Sequence, residues 1–145
     1  MGRCKKFIDS LPKNSYILDA GCGNGKNMYR KDCTFVGVDF CLNFLKITQK
    51  YSSQLVQLNI KQLPFRDNMF DFTISIAVIH HIYDKQDRIN AIKELIRVTK
   101  LNGQIFISVW CEHGNYKAGN NMINGIYKIN IIQIEKNEYM IDIII

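Results

Sequence analysis

Two carboxylates and three glycines carry the first chemical signal in the chain. Asp19 closes the apolar run that begins at Tyr16, and Gly21, Gly23 and Gly25 follow at alternate positions before a polar stretch. A strand ending in a glycine turn lets main chain approach a nucleotide-like ligand, because a side chain there would block the approach or the left-handed backbone. Glycines alone would also suit an ordinary strand-to-helix turn. Asp39 adds the second part of the signal: it ends the next apolar run, Thr34 to Val38, and lies 20 residues after Asp19. An acid at that distance, on the tip of the second strand, is placed to accept hydrogen bonds from both hydroxyls of a ribose. His80 and His81 carry the third part. They end the apolar run that starts at Asp71, at the carboxyl edge where such sheets bind ligands. Neighbouring strand residues face opposite ways, so one imidazole is expected in the pocket, His81 in preference to His80. The other packs or caps the following loop. A donating or protonated imidazole there can orient an anionic group.

The elements that must position these residues follow from apolar spacing. Cys4, Phe7, Ile8 and Leu11 recur at helical intervals, so an amphipathic helix opens the chain and stops at Pro12. Its lysines, Lys5, Lys6 and Lys13, read as a solvated face. The first crossover helix is expected to start within Gly25 to Arg30. Strand two is FVGVDF, a helix runs from about Leu42 to Tyr51, and strand three covers Gln54 to Leu58. Strand four covers Asp71 to Val78, and a helix follows over Asp84 to Lys100 with Gly103 as its stop. Gln104 to Trp110 forms strand five. Strands alternating with helices specify an α/β fold, a doubly wound parallel sheet of Rossmann-like type with right-handed crossovers. Beyond it, Glu112 to Asn124 reads as loop. The runs Ile126 to Ile134 and Tyr139 to Ile145 read as a hairpin, a truncated or atypical end to the fold.

Composition bounds the class. The 145 residues make one domain, 1–145, with 47% hydrophobic and 22% charged residues. No apolar run has the length of a membrane span, and the first residues do not read as a signal peptide. Five cysteines without a C-x-x-C pair argue against a zinc site or disulfide framework and for a reducing compartment, cytoplasm or nucleus. Net charge +6 and pI near 9.1 permit nucleic-acid binding. Part of that charge is compositional, since Ile, Asn and Lys make up about a third of the chain.

GCGNGKN, LPFRDNMFD, ISIAVIHH and ELIRVTKLNGQIFISVW together resemble the class I S-adenosylmethionine (SAM) methyltransferases. Within them the chain is most similar to the eukaryotic tRNA wobble-uridine carboxymethyl methyltransferases, including the methyltransferase domain of the AlkB-like tRNA hydroxylases. The resemblance covers Phe7 to Glu112. The G-x-G-x-G spacing, in place of the dinucleotide G-x-G-x-x-G, suits a ligand with no pyrophosphate to seat, which favours SAM over NAD. The resemblance puts Asp19, Gly21, Gly23 and Gly25 around the methionine part of SAM and Asp39 on the ribose. Asn59 and Ile60 meet the adenine edge, and Ala77 offers its backbone. Asn59 stands where the family has Asp, and KLNG (Lys100 to Gly103) where KPGG is usual.

The reaction so implied is methyl transfer to the carboxylate of 5-carboxymethyluridine in the tRNA anticodon loop. A carboxylate is ionised at pH 7, so orientation rather than a general base is required. Lys85 and Arg88 read as a solvated helix start that can also touch phosphate. Trp110 and Glu112 shape the substrate side, with a core role equally open for Trp110. The resemblance further implies a heterodimer with a small zinc-binding activator subunit, the zinc belonging to the partner, and no membrane contact. Two rival readings stay open: a quinone-type small-molecule methyltransferase, in which one His is an obligatory base, and an inactive SAM-binding remnant.

Overall fold

The computed structural model describes the backbone of residues 3–111, 123–135 and 138–144 and the side chains of residues 4–109. Helix α1 (Arg3–Ser10) precedes strands β1 (Tyr16–Ala20) and β2 (Thr34–Asp39), then helix α2 (Leu42–Thr48) and strand β3 (Leu55–Gln57). Strand β4 (Phe70–Ile76) leads through one 3-10 turn, Ile79–His81, into helix α3 (Lys85–Val98). Strands β5 (Thr99–Cys111), β6 (Ile123–Glu135) and β7 (Glu138–Ile144) complete the order. One seven-stranded sheet runs β3-β2-β1-β4-β5-β6-β7. The first five strands are parallel, and β6 and β7 add antiparallel to β5 and to each other. This is the expected Rossmann-like parallel sheet, and the C-terminal runs form the expected hairpin at its edge.

Each face of the parallel part of the sheet is packed by one apolar layer. Phe7, Ile8 and Leu11 of the α1 stripe and Leu45 of α2 pack with Ile17, Phe35, Ile74 and Phe106. Phe7 stacks on Phe106 at 5.0 Å. Ala91, Leu95 and Val98 of α3 cover the opposite face, against Leu18, Val36, Val38 and Ile105. Alternate residues of one strand therefore serve different layers, as the period-two geometry of a strand requires.

Three expectations are corrected. No helix forms within Gly25 to Arg30; the segment is a series of turns. Eight residues remain between Gly25 and β2. As a helix they would rise only about 12 Å, short of the roughly 17–20 Å that a return along five or six strand residues needs. The turn-rich path reaches where a helix would not. Strand β4 stops at Ile76, not Val78, because Ala77 takes a left-handed backbone with φ 58° and turns the chain. His80 and His81 therefore lie on a 3-10 turn rather than on strand. Helix α3 ends at Val98 and passes directly into β5 through Thr99, so Gly103 is not its stop but part of β5. The side chain of Trp110 and the whole of Glu112 lie outside the described residues.

Candidate active site

At the carboxyl ends of β1, β2 and β4 the sheet opens into a cleft of about 540 Å³. Topology dictates the place: β1 sits between β2 and β4, so chain leaving its neighbours departs in opposite directions and leaves a crevice between. Gly21, Gly23, Asp39, Asn59, Ile60, Ala77 and His81 all line it. Of the residues singled out from the sequence, Asp19, Gly25 and His80 are not on that lining.

Asp19 lies beneath the glycine turn. It is wholly buried, and neither carboxylate oxygen has a hydrogen-bond partner. Burial, reinforced by the charge of Asp39 and opposed by that of Lys26, pushes its pKa up to about 7. Buried polar atoms without partners are rare, and an unpaired buried carboxylate is among the most costly. A cationic group above it would satisfy both needs.

The loop over Asp19 is tied at both ends. Gly21 and Cys22 donate their N–H groups to the Val38 carbonyl at 2.8 and 2.9 Å. Gly23 donates to Asp39 Oδ2 at 2.8 Å, and Asp39 Oδ1 accepts from the Cys41 N–H at 2.8 Å. Asp39 thus clamps the glycine loop to the start of α2 while keeping lone pairs for a ligand's hydroxyls. Gly21 has φ 85°, and a Cβ there would overlap Val78 and sit 2.9 Å from its Cγ1. Gly25, also left-handed at φ 76°, faces α2 rather than the cleft. A Cβ on it would meet Thr48 and Tyr51, each at 2.7 Å, and the Thr48 hydroxyl donates to the Gly23 carbonyl at 2.7 Å.

Opposite the glycines, Asn59 is exposed and turns its Oδ1 onto the Lys61 N–H at 3.1 Å, beside the buried Ile60. Ala77 donates its N–H to the Ser108 carbonyl at 2.8 Å, which pins the left-handed residue at the cleft floor. The His80 and His81 rings lie 4.1 Å apart. Burial, then the charge of His81, holds His80 below the usual imidazole value. Lys26 and Phe40 also line the cleft, though neither stood out from the sequence. Lys26 is the one Lys or Arg on the lining among the described residues, and its place directly after Gly25 was the available signal.

Residues 18–107 match the family model of the methyltransferase domain. The chain belongs to that family. It is 42% identical over 105 residues to a tRNA (carboxymethyluridine(34)-5-O)-methyltransferase of Arabidopsis thaliana, covering 72% of this chain and 26% of that protein. It is 40% identical over 112 residues to a Xenopus tropicalis protein of the same enzyme name, covering 77% of this chain and 18% of that one. The chain thus spans about a quarter or less of the length of these curated relatives. Among solved structures, the methyltransferase in a complex with the Haloferax volcanii Trm112 activator superposes with TM-score 0.64 at 19% identity, covering 72% of this chain and 50% of that one. At that identity the likeness is one of fold.

The methyltransferase site fits SAM on its own residues. The orphaned Asp19 carboxylate calls for a cation, and SAM carries an ammonium and a sulfonium. Asp39 on the tip of β2 has acceptors for a ribose, and Ile60 supplies a buried apolar wall beside it.

Proposed function

We propose that this chain is a SAM-dependent methyltransferase acting on the tRNA wobble uridine, esterifying the carboxylate of 5-carboxymethyluridine. The observation that carries the cofactor is the buried, unpartnered Asp19 carboxylate under a glycine loop clamped by Asp39. The substrate class is supported by the relatives' names together with the chemistry of the cleft. Bound SAM supplies an electrophilic methyl group.

The chain's own residues hold and orient. Asp19 pairs with the ammonium, Asp39 takes the ribose hydroxyls, and Asn59 and Ile60 receive the adenine edge. The substrate carboxylate is ionised at pH 7 and needs no base. His81 donates from its imidazole to one carboxylate oxygen, and Lys26 adds positive charge to the same cleft. His80 sits against His81 and, held below the usual imidazole value, is uncharged near neutrality. Fixing acceptor and donor in line contributes up to about 7–11 kcal/mol in favourable model systems.

The same reading includes a heterodimer with a small zinc-binding activator subunit, in the cytoplasm or nucleus. Leu42 and Ile47 of α2 and Val56 of the edge strand β3 are apolar side chains left exposed at that end of the sheet, and an edge of this kind suits such a partner. The deciding experiment is methyl transfer from labelled SAM to tRNA lacking the wobble methyl ester, with and without the activator, followed by nucleoside analysis. Label in the methyl ester of carboxymethyluridine is the expected result. SAM binding without label in any tRNA nucleoside would overturn the tRNA assignment and leave a SAM-binding fold.

A further inference from the structure

Most of the large apolar side chains exposed among the described residues belong to the stretch from the end of β2 through α2 to β3. Tyr83 stands apart, 96% exposed, and directly follows the cleft-lining pair His81 and Ile82. The chain reaches it from the β4 side of the cleft, two strands from β2 in the sheet, on the way from the 3-10 turn to α3. The backbone around it is fixed. Arg88 Nη1 donates to the carbonyls of Ile82 and Tyr83, each at 2.8 Å. Asp84, the next residue, caps α3 by accepting from the Asp87 N–H at 2.8 Å. A rigid main chain thus holds an aromatic ring almost entirely in water, where it adds nothing to the core.

We propose that Tyr83 is a stacking platform for an unpaired nucleobase adjacent to the methylated nucleotide of the RNA substrate. The inference rests on the tRNA reading above and names the part of the substrate that the cleft rim grips. A uridine that reaches a cleft shared with the cofactor must leave the stack of its loop, which strips its neighbour of a stacking partner. Single-stranded RNA recovers that loss on exposed aromatic rings, which accept any base because every base has a π-face. The surroundings match an anionic strand. Asp84 is turned onto its helix N-terminus and Asp87 is paired with Lys61 at 2.7 Å, whereas exposed Lys85 has its ammonium outside the described ion pairs.

The test uses the full chain with its activator and an anticodon stem-loop RNA carrying 5-carboxymethyluridine, with 2-aminopurine beside it. Tyr83→Ala should lower kcat/KM for the stem-loop by about tenfold to a hundredfold, chiefly through KM. Tyr83→Trp and Tyr83→Phe should retain it, and SAM affinity should stay unchanged in all three. Binding to the wild type should quench 2-aminopurine, and binding to Tyr83→Ala should not. An active wild type whose kcat/KM and quenching survive Tyr83→Ala overturns the proposal, as does loss of SAM affinity alongside, which would mark a structural role. A wild type that binds SAM and methylates no tRNA fails in a different way, by overturning the tRNA reading itself.

Discussion

Asp19 sets stability against binding in a single side chain. Its folded pKa, pushed up to about 7 from the ordinary 3.8, means that the folded chain holds this proton more tightly than the unfolded chain does. Stability is therefore highest from this group at low pH and falls as pH rises from 3.8 to about 7, where the buried carboxylate must ionise without a partner. Pairing with an ammonium favours the ionised form. SAM affinity should accordingly climb up to about tenfold per pH unit below 7 and level off above it, with proton release on binding. Calorimetry in two buffers of different ionisation enthalpy checks this, and a flat profile with no proton release would refute it. Asp19→Asn should bind SAM poorly at every pH yet melt higher than the ligand-free wild type at pH 8. Asn59 offers the opposite experiment. Its neutral side-chain carbonyl already accepts from the Lys61 N–H, whereas a carboxylate would keep that bond and offer a second, charged oxygen to the adenine amino group. Asn59→Asp should tighten SAM by about 1 kcal/mol, roughly fivefold, as read by equilibrium titration.

Elements were legible where periodicity speaks and hidden where backbone geometry decides. The α1 stripe at Cys4, Phe7, Ile8 and Leu11 and the apolar runs of the five parallel strands lie close to where their spacing puts them. Asp39 could be placed on the tip of β2 from its distance to Asp19, and Gly21 and Gly23 from their alternation. The left-handed turn at Ala77 left no trace, because ISIAVI reads as one continuous strand. His80 and His81 therefore share a 3-10 turn, where strand alternation does not apply. The missing crossover helix is a matter of chain length, which a propensity reading of Lys26 to Arg30 does not weigh. A second helix-free connection, from β3 to β4, shows what replaces a helix. Arg97 donates to the carbonyls of Leu63 and Phe65 at 2.9 and 2.7 Å and to Asp67 at 2.7 Å, and Glu94, paired with Arg97, accepts the Leu63 N–H at 2.7 Å. One guanidinium thus seats the segment that carries Asn59 and Ile60 on α3. Arg97→Ala should destabilise the chain by about 2–3 kcal/mol, because several partners lose their donor together. SAM affinity should fall with it. Denaturant unfolding and SAM titration on the same samples test the link, and an unchanged affinity in a destabilised protein would break it.

Over the whole molecule, the two edges of the sheet end differently. At one edge the β6–β7 hairpin extends the parallel strands. At the other, β3 is only three residues long and pairs on one side with β2; its Val56 is exposed, as are Leu42 and Ile47 of α2. A short edge limits unwanted strand pairing, and exposed apolar side chains on it and on the helix before it are expected of a surface that a partner covers. Removing one exposed apolar group from such a face should cost the free chain almost nothing, within about 0.5 kcal/mol. The same change should cost the complex about 2 kcal/mol or more if the group lies at the centre of an interface. Ile47→Asp is therefore expected to fold and bind SAM as the wild type does and, on the proposed heterodimer, to lose both co-elution with the activator subunit and any rise in melting temperature on mixing with it. Val56→Lys should act in the same direction from the strand side. Melting curves of the free chain and of the mixture, run with gel filtration, separate the possibilities. If both variants still co-elute and melt with the activator as the wild type does, the partner sits elsewhere and this apolar edge has another occupant.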